Sequence, residues 1–90
     1  MRTTFHVDFR ASLNRGSLGF ARLEKDLAFA PTPDIEFENP AWQNTRTAMS
    51  VTYNIEEQFF YVILQYDEID PKSREDHAEM YRGHGWTIYP

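Results

Sequence analysis

The first segment of the chain alternates apolar and polar residues with a period of two. Phe5, Val7 and Phe9 alternate with polar side chains over residues 4–10. Because successive side chains of a strand point to opposite faces, the pattern predicts a strand with one buried and one solvated face. An Asn-Arg-Gly sequence at residues 14–16 then predicts a turn, since glycine adopts a positive φ without steric cost.

Residues 17–30 are compatible with two interpretations. Phe20, Leu23 and Leu27 recur at helical spacing, which predicts an amphipathic helix. A glycine near the start of this segment and two prolines just after it oppose the helix. The alternative is a strand over residues 17–24 that pairs with the first strand across the turn. The sequence alone leaves both interpretations open.

Residues 45–54 alternate again, and together with a return strand at residues 58–66 and an acidic tip at Glu56 and Glu57 they predict a β-hairpin. The return strand is apolar on both faces, because all six residues 59–64 are apolar or aromatic. Such a strand belongs in the middle of a sheet with both faces covered. A chain of 90 residues has little material for two covers, so a second copy of the chain is one candidate for the second cover.

The C-terminal quarter predicts a helix with recognisable ends. Asp70 and Pro71 are typical of the first positions of a helix, and Gly83 is typical of the residue that follows its last turn. Tyr81 would face the sheet from this helix. Residues 86–89 would then add a short strand at an edge of the sheet.

These elements predict one α+β domain spanning residues 1–90. We expect a small antiparallel β-sheet of four to six strands packed with the C-terminal helix, and a further helix at residues 17–30 is the open alternative. Seven Phe, five Tyr and two Trp supply the large side chains that a core of this size needs. The absence of cysteine excludes disulfides, and no apolar run approaches the about 20 residues of a membrane span. We therefore expect a cytoplasmic protein with no membrane partner.

The net charge of −5 is unevenly distributed along the chain. Residues 1–25 contain five basic and two acidic residues, which gives +3. Residues 26–79 contain twelve acidic and three basic residues, which gives −9, and Arg82 brings the total to −5. Because phosphate contacts dominate affinity for nucleic acids, this acidic balance disfavours direct nucleic-acid binding.

His77 and His84 are the histidines whose spacing bears on metal binding. Seven residues apart, they would share one face of a continuous helix, beside Asp76 and Glu79. The sequence has no HExxH pattern, no Cys–His set and no third ligand at fixed spacing. Nucleophile, phosphate-loop and dinucleotide motifs are also missing from it. We therefore expect neither an enzyme nor a bound metal or cofactor, and a metal-dependent hydrolase using His77 and His84 is the weakest hypothesis.

The candidate binding residues are aromatic and acidic side chains. Tyrosine and tryptophan are favoured anchors of protein interfaces. Trp86 has a second interpretation, because a large aromatic side chain in a small domain usually closes the core. The candidates are Phe59, Tyr61, Tyr81, His84 and Trp86, with Glu36 and Glu38 on a short acidic strand.

The two-faced strand and the missing catalytic motifs favour a non-catalytic protein-binding module, which binds a protein partner or forms a homodimer. The alternative is a small acidic inhibitor, of phage or mobile-element type, that blocks a basic partner that handles nucleic acid. Its acidic surface would include Asp34, Glu36, Glu38 and the hairpin tip. Charge complementarity would steer that encounter.

Overall fold

The structure is a computed structural model that describes residues 1–11 and 16–90. The predicted turn at residues 14–16 therefore lies outside the described residues, apart from Gly16. The described residues form seven strands, one 3-10 turn and one α-helix. These are β1 (Arg2–Arg10), β2 (Ser17–Asp26), β3 (Glu36–Phe37), β4 (Arg46–Asn54), β5 (Phe59–Leu64), β6 (Asp67–Glu68), the 3-10 turn (Pro71–Ser73), α1 (Arg74–Gly83) and β7 (Thr87–Tyr89).

The strands form one open sheet in the order β3-β4-β5-β1-β2-β7, and β6 pairs with β1 beyond the end of β5. The α+β class with a C-terminal helix is confirmed. Most neighbours are antiparallel, but β1 is parallel to both β5 and β6, so the sheet is mixed. The predicted short acidic strand is present as β3, and the one strand beyond the predicted four to six is accounted for by β6, whose two residues are too few to produce a visible alternation.

Residues 17–26 form a strand, which decides between the two interpretations of this segment and excludes the helix. β2 pairs with β1 in a register that sets Phe5 opposite Leu23 and Val7 opposite Ala21. Ala21 and Leu23 are buried, while Arg22 between them is half-buried on the other face. The helical spacing of apolar residues was too weak to prevail over this long antiparallel ladder.

The predicted β-hairpin is confirmed as β4 and β5, with one irregularity. The register shifts between Ala48 and Ser50, so one extra residue lies in β4. Such a bulge reverses the side-chain alternation locally. Met49 is therefore 69% exposed, whereas the alternation in the sequence placed it on the same face as Val51.

The core lies between β1 and α1, because β1 occupies the centre of the sheet. Val7 and Phe9 are fully buried, and Ala78 and Tyr81 of α1 pack against them. Phe9 contacts the Tyr81 ring with centroids 5.3 Å apart. Burial of aromatic side chains of this size contributes most of the hydrophobic stabilisation available to a 90-residue chain.

The helix ends explain why Trp86 is a core residue. The predicted N-terminal signal is confirmed, since the Asp70 carboxylate accepts a hydrogen bond of 2.9 Å from the Lys72 backbone N–H. At the other end, Gly85 rather than Gly83 adopts the positive φ of +89°. The backbone N–H of Trp86 donates to the backbone carbonyl of Tyr81, and the backbone N–H of Gly85 donates to that of Arg82. These two backbone hydrogen bonds turn the chain back at the end of the helix. The Trp86 ring therefore packs on Tyr81 and is 3% exposed.

Candidate protein-binding face

One face of the sheet is uncovered in this chain, and we call it the open face. Side chains alternate along each strand, and paired residues point to the same face, so the register assigns each residue. On the opposite face α1 packs against Phe9 and shares the core cluster with Phe5 and Val7, and no helix of residues 1–11 and 16–90 lies over the open face. The open-face residues are Arg2, Thr4, His6, Asp8 and Arg10 of β1, Phe20, Arg22, Glu24 and Asp26 of β2, Ser50, Thr52 and Asn54 of β4, Phe59, Tyr61 and Ile63 of β5, and Thr87 and Tyr89 of β7.

The sequence predicted cover on both faces of β5, and the single chain covers only one. Val62 and Leu64, which face the core, are 0% and 2% exposed. Ile63 lies between them on the open face and is 36% exposed. The position of β5 in the sheet interior is thus as expected, but nothing in the described residues supplies the second cover.

A chain of hydrogen bonds crosses the middle of the open face. The Nη2 atom of Arg22 donates to the Tyr61 hydroxyl over 2.9 Å, and that hydroxyl lies 3.0 Å from Nδ1 of His6. Nε2 of His6 lies 2.8 Å from the Asp8 carboxylate, which only accepts when ionised. Nε2 therefore carries the imidazole proton, and Nδ1 accepts from Tyr61. The chain links three strands and fixes the orientation of each side chain in it.

Aromatic rings hold the arginines of the open face in place. The Arg22 guanidinium lies 4.8 Å from the Phe20 ring centroid, 5.3 Å from that of Tyr61 and 5.5 Å from that of Tyr89. Phe20 and Tyr89 stack with centroids 4.9 Å apart. A guanidinium over a ring gains cation–π attraction and is restricted in its rotamers. Arg22 is therefore presented to a ligand in a nearly fixed position.

A groove of about 540 Å³ runs along the open face beside Arg22. Its walls include Tyr61, Phe59 and Tyr89, with Thr87 at the β7 side. Its lining combines these aromatic rings with charged side chains, among them Arg22, Glu24 and Lys25. The groove and the aromatic frame make the open face the strongest candidate site in the described residues.

The charge balance of the open face differs from that of the whole chain. Its three arginines are matched by three carboxylates, Asp8, Glu24 and Asp26, so the face is neutral while the chain carries −5. A neutral face does not provide the excess of positive charge that a phosphate backbone requires. Arginine and aromatic residues at the centre of a patch are instead typical of protein interfaces.

A second polar cluster, centred on Asp67, ties α1 to the sheet. Oδ1 of Asp67 lies 2.6 Å from Nη1 of Arg46, and Oδ2 accepts a 2.7 Å hydrogen bond from the Tyr81 hydroxyl. Nε2 of His77 is also 2.7 Å from Oδ2. The Tyr81 oxygen in turn accepts from the Trp42 indole N–H over 3.0 Å. Every buried side-chain polar atom of the described residues, those of this cluster included, has a hydrogen-bond partner, so we assign this cluster a structural role.

Of the predicted binding residues, Phe59 and Tyr61 lie on the open face. Trp86 and Tyr81 are buried in the core, which for Trp86 is the second of its two interpretations. His84 is exposed at the end of α1 and does not line the groove, although the adjacent Gly85 does. Of the five aromatic and histidine candidates, the structure therefore places only two on the open face, while Tyr81 and Trp86 contact each other in the core.

Sequence reasoning missed the residues that complete the open-face site. His6, Arg22, Phe20 and Tyr89 meet there only because β2 is a strand paired with both β1 and β7. The alternation of β1 already placed His6 on the outward face, but its neighbours depended on the unresolved choice at residues 17–30. A firm strand assignment for β2 would have revealed the pairing of His6 with Arg22.

The acidic residues of the inhibitor hypothesis do not form one surface. Glu36 lies on β3, beside the first residues of β4, and Glu38 follows that strand. Glu56 and Glu57 lie in the turn at the other end of β4. β4 spans nine residues, so the two groups are separated by about 27 Å.

The two histidines of the hydrolase hypothesis, His77 and His84, lie in different environments. His77 is hydrogen-bonded to Asp67 and packs on the Phe9 ring, whereas His84 is exposed beyond the last turn of α1. In residues 1–11 and 16–90 no group of three or more His, Cys, Asp or Glu side chains is arranged to hold a metal ion.

The fold and the site define a small mixed-sheet α+β domain with one uncovered aromatic face. No protein-family model, curated protein or solved structure matches the chain. In the part of the chain that the structure describes, no helix is both long enough and apolar enough to cross a membrane.

The buried Tyr81 phenol is expected to make the free energy of unfolding fall as the pH rises through the alkaline range. Burial first, and then the charge and hydrogen bond of Asp67, raise the pKa of the Tyr81 phenol well above its ordinary value. In the unfolded chain the phenol ionises near pH 10, so its stabilising contribution is complete below about pH 10 and is lost as pH rises towards the folded pKa. The unfolding free energy of wild type should therefore fall more steeply than that of Tyr81→Phe between about pH 9 and 11, measured by urea denaturation. Parallel slopes would contradict the raised pKa.

Proposed function

We propose that this protein is a non-catalytic protein-binding module and that the open face is its binding surface. The carrying observation is the sheet face without a helix over it, where an oriented Arg22 is framed by Phe20, Tyr61 and Tyr89. Aromatic and arginine anchors at the centre of a patch typically dominate binding energy. A cytoplasmic location, which the absence of cysteine supports, remains a prediction.

The proposed partner is a protein segment that combines apolar side chains with a carboxylate. Ile63 offers apolar surface on the open face outside the groove, and Phe59 and Tyr61 offer it in the groove wall; the partner's apolar side chains would bury both. Arg22 has five N–H donors, of which the Tyr61 hydroxyl and the His6 ring engage two. A carboxylate can accept from the remaining donors in a bidentate arrangement. Such a segment would supply the cover that β5 lacks on this side.

Selection of ligands from a random peptide display library tests this proposal. The selected peptides should be rich in acidic and apolar residues, and Arg22→Ala should weaken their binding at least tenfold, measured by titration calorimetry. Arg82→Ala is the matched control, because Arg82 is an exposed arginine of α1 that pairs with Glu75 and Glu79 away from the open face. Its affinity should equal that of wild type.

Ile63→Glu is a second variant, which places a charge at an exposed apolar position without disturbing the core. It should also abolish peptide binding. Selected peptides that bind Arg22→Ala and Ile63→Glu as tightly as wild type would overturn the proposal. So would a single-stranded thymidine oligonucleotide that binds more tightly than any selected peptide and is released by Arg22→Ala, because the ligand would then be a nucleic acid.

A further inference from the structure

The two edges of the sheet differ in their protection against pairing. The β7 edge is three residues long and is followed by Pro90, which has no backbone N–H. The β4 edge is nine residues long, and β3 pairs only with Arg46 and Thr47. Within the described residues, positions 48–54 of β4 therefore have a backbone partner on the β5 side alone.

Apart from the bulge between Ala48 and Ser50, the free part of β4 lacks the features that usually protect an edge strand. No charged residue and no proline occurs between positions 47 and 55. Tyr53 is 47% exposed and Ile55 is 78% exposed. Natural proteins normally place lysine, proline or an inward charge on such an edge, because unpaired N–H and C=O groups are a template for another strand. This edge is therefore suited to pairing.

We propose that the free edge of β4 pairs with the same edge of a second copy of this chain, antiparallel and about a two-fold axis at Thr52. In this register Thr52 lies opposite Thr52 of the second copy. Val51 lies opposite Tyr53 of the second copy, and Ser50 lies opposite its Asn54. The two sheets join into one continuous sheet.

A second copy fits this edge because, about a two-fold axis, β4 pairs with the identical strand of the second copy. Like charges directly opposite each other are destabilising, and the segment contains none. Aromatic residues opposite β-branched ones, and threonine opposite threonine, are favourable cross-strand pairs, and the Thr52 register supplies both. The paired segment, residues 50–54, stops short of β3 and of the bulge between Ala48 and Ser50, so both remain undisturbed.

The proposed dimer adds a property to the binding module without using its open face. A two-fold axis perpendicular to the sheet keeps each face on its own side, so both open faces point in the same direction. The dimer would present two copies of the Arg22 site side by side. A partner with two binding segments would then gain from effective concentration.

The contact is small, so the dimer should depend on protein concentration. Five residue pairs supply about four to six backbone hydrogen bonds, well below the area of a permanent interface. Light scattering should show the mass of a monomer at about 10 μM and approach that of a dimer at about 1 mM.

The variant that tests the register is Thr52→Lys, which sets two ammonium groups against each other across the axis. Thr52 is exposed, so the monomer should fold normally. Thr52→Lys should remain monomeric at the highest concentration. Thr87→Lys is the matched control, because it adds the same charge to an exposed threonine of the same face at the opposite edge. It should dimerise like wild type.

A mixture of Thr52→Lys and Thr52→Glu gives the most specific readout. Each variant alone should be monomeric, and the equimolar mixture should dimerise, because lysine then lies opposite glutamate. A wild-type protein that stays monomeric at about 1 mM would overturn the proposal. A dimer that Thr52→Lys leaves intact would also overturn it, and if Ile63→Glu dissociates that dimer, the contact uses the open face instead. Peptide binding by the open face is measured separately and is unaffected by either result.

Discussion

Asp67→Ala is expected to lower the free energy of unfolding by about 3 kcal/mol. The substitution removes the partner of the Arg46 guanidinium, whose side chain is 21% exposed, and leaves the buried Tyr81 hydroxyl without its acceptor. Removing one member of a buried ion pair destabilises by about 3–5 kcal/mol, and the partial exposure of Arg46 favours the lower value. Urea denaturation followed by far-ultraviolet circular dichroism measures the change.

Glu68→Ala is the control for this prediction, because Glu68 is the exposed carboxylate next to Asp67 on β6. It should change the unfolding free energy by no more than about 0.5 kcal/mol. Equal losses for the two variants would mean that the Asp67 cluster does not hold α1 to the sheet. The losses caused by Asp67→Ala and by Tyr81→Phe should be less than additive when the two substitutions are combined, because both variants break the same hydrogen bond.

Gly19→Ala is expected to lower the free energy of unfolding by about 2–4 kcal/mol. Gly19 has a φ of +104°, which residues with a side chain rarely adopt. A Cβ atom there would lie 2.4 Å from the Tyr89 carbonyl oxygen and 2.9 Å from the Arg74 guanidinium. The first contact is with backbone, so relief requires β7 to move away from β2.

The matched control is Gly85→Ala, which has a φ of +89° but no atom within 4 Å of the added Cβ. It should cost only about 1–2 kcal/mol, the penalty for the left-handed backbone itself. The difference between the two variants isolates the close contact between β2 and β7. Identical losses in urea denaturation would show that this contact contributes nothing.

Local sequence signals were sufficient where an element depends on its own residues. The hairpin of β4 and β5 followed from the alternation of residues 45–54, an acidic turn and an apolar return strand, and the start of the helix followed from Asp70 and Pro71. Each of these signals lies within about ten residues of the element that it predicts. They required no knowledge of distant contacts.

Signals failed where structure depends on pairing between distant segments. The parallel ladder of β1 with β5 joins residues more than fifty positions apart, and no local pattern encodes it. Residues 17–26 carried both periodicities, and only the ladder with β1 decided between them. Asp67 could not be recognised as the centre of a buried cluster, because its partners come from β4 and α1.

For the same reason, only some residues of the candidate site could be predicted from the sequence. Phe59 and Tyr61 were identified because the two-faced pattern of β5 is local. Arg22 and Tyr89 were not, because their approach to Tyr61 requires β7, β2, β1 and β5 to be neighbours in that order. Surface aromatic residues acquire meaning only when the sheet order is known.

Methyl NMR during titration with a selected peptide tests the central claim most directly. Ile63 lies on the open face and Ile88 on the covered face, so the two isoleucine methyl groups report on opposite sides of the same sheet. If the open face is the binding surface, the Ile63 δ1 resonance shifts progressively to saturation and the Ile88 δ1 resonance stays in place. A shift of Ile88 with an unchanged Ile63 would contradict the assignment of the open face as the binding surface.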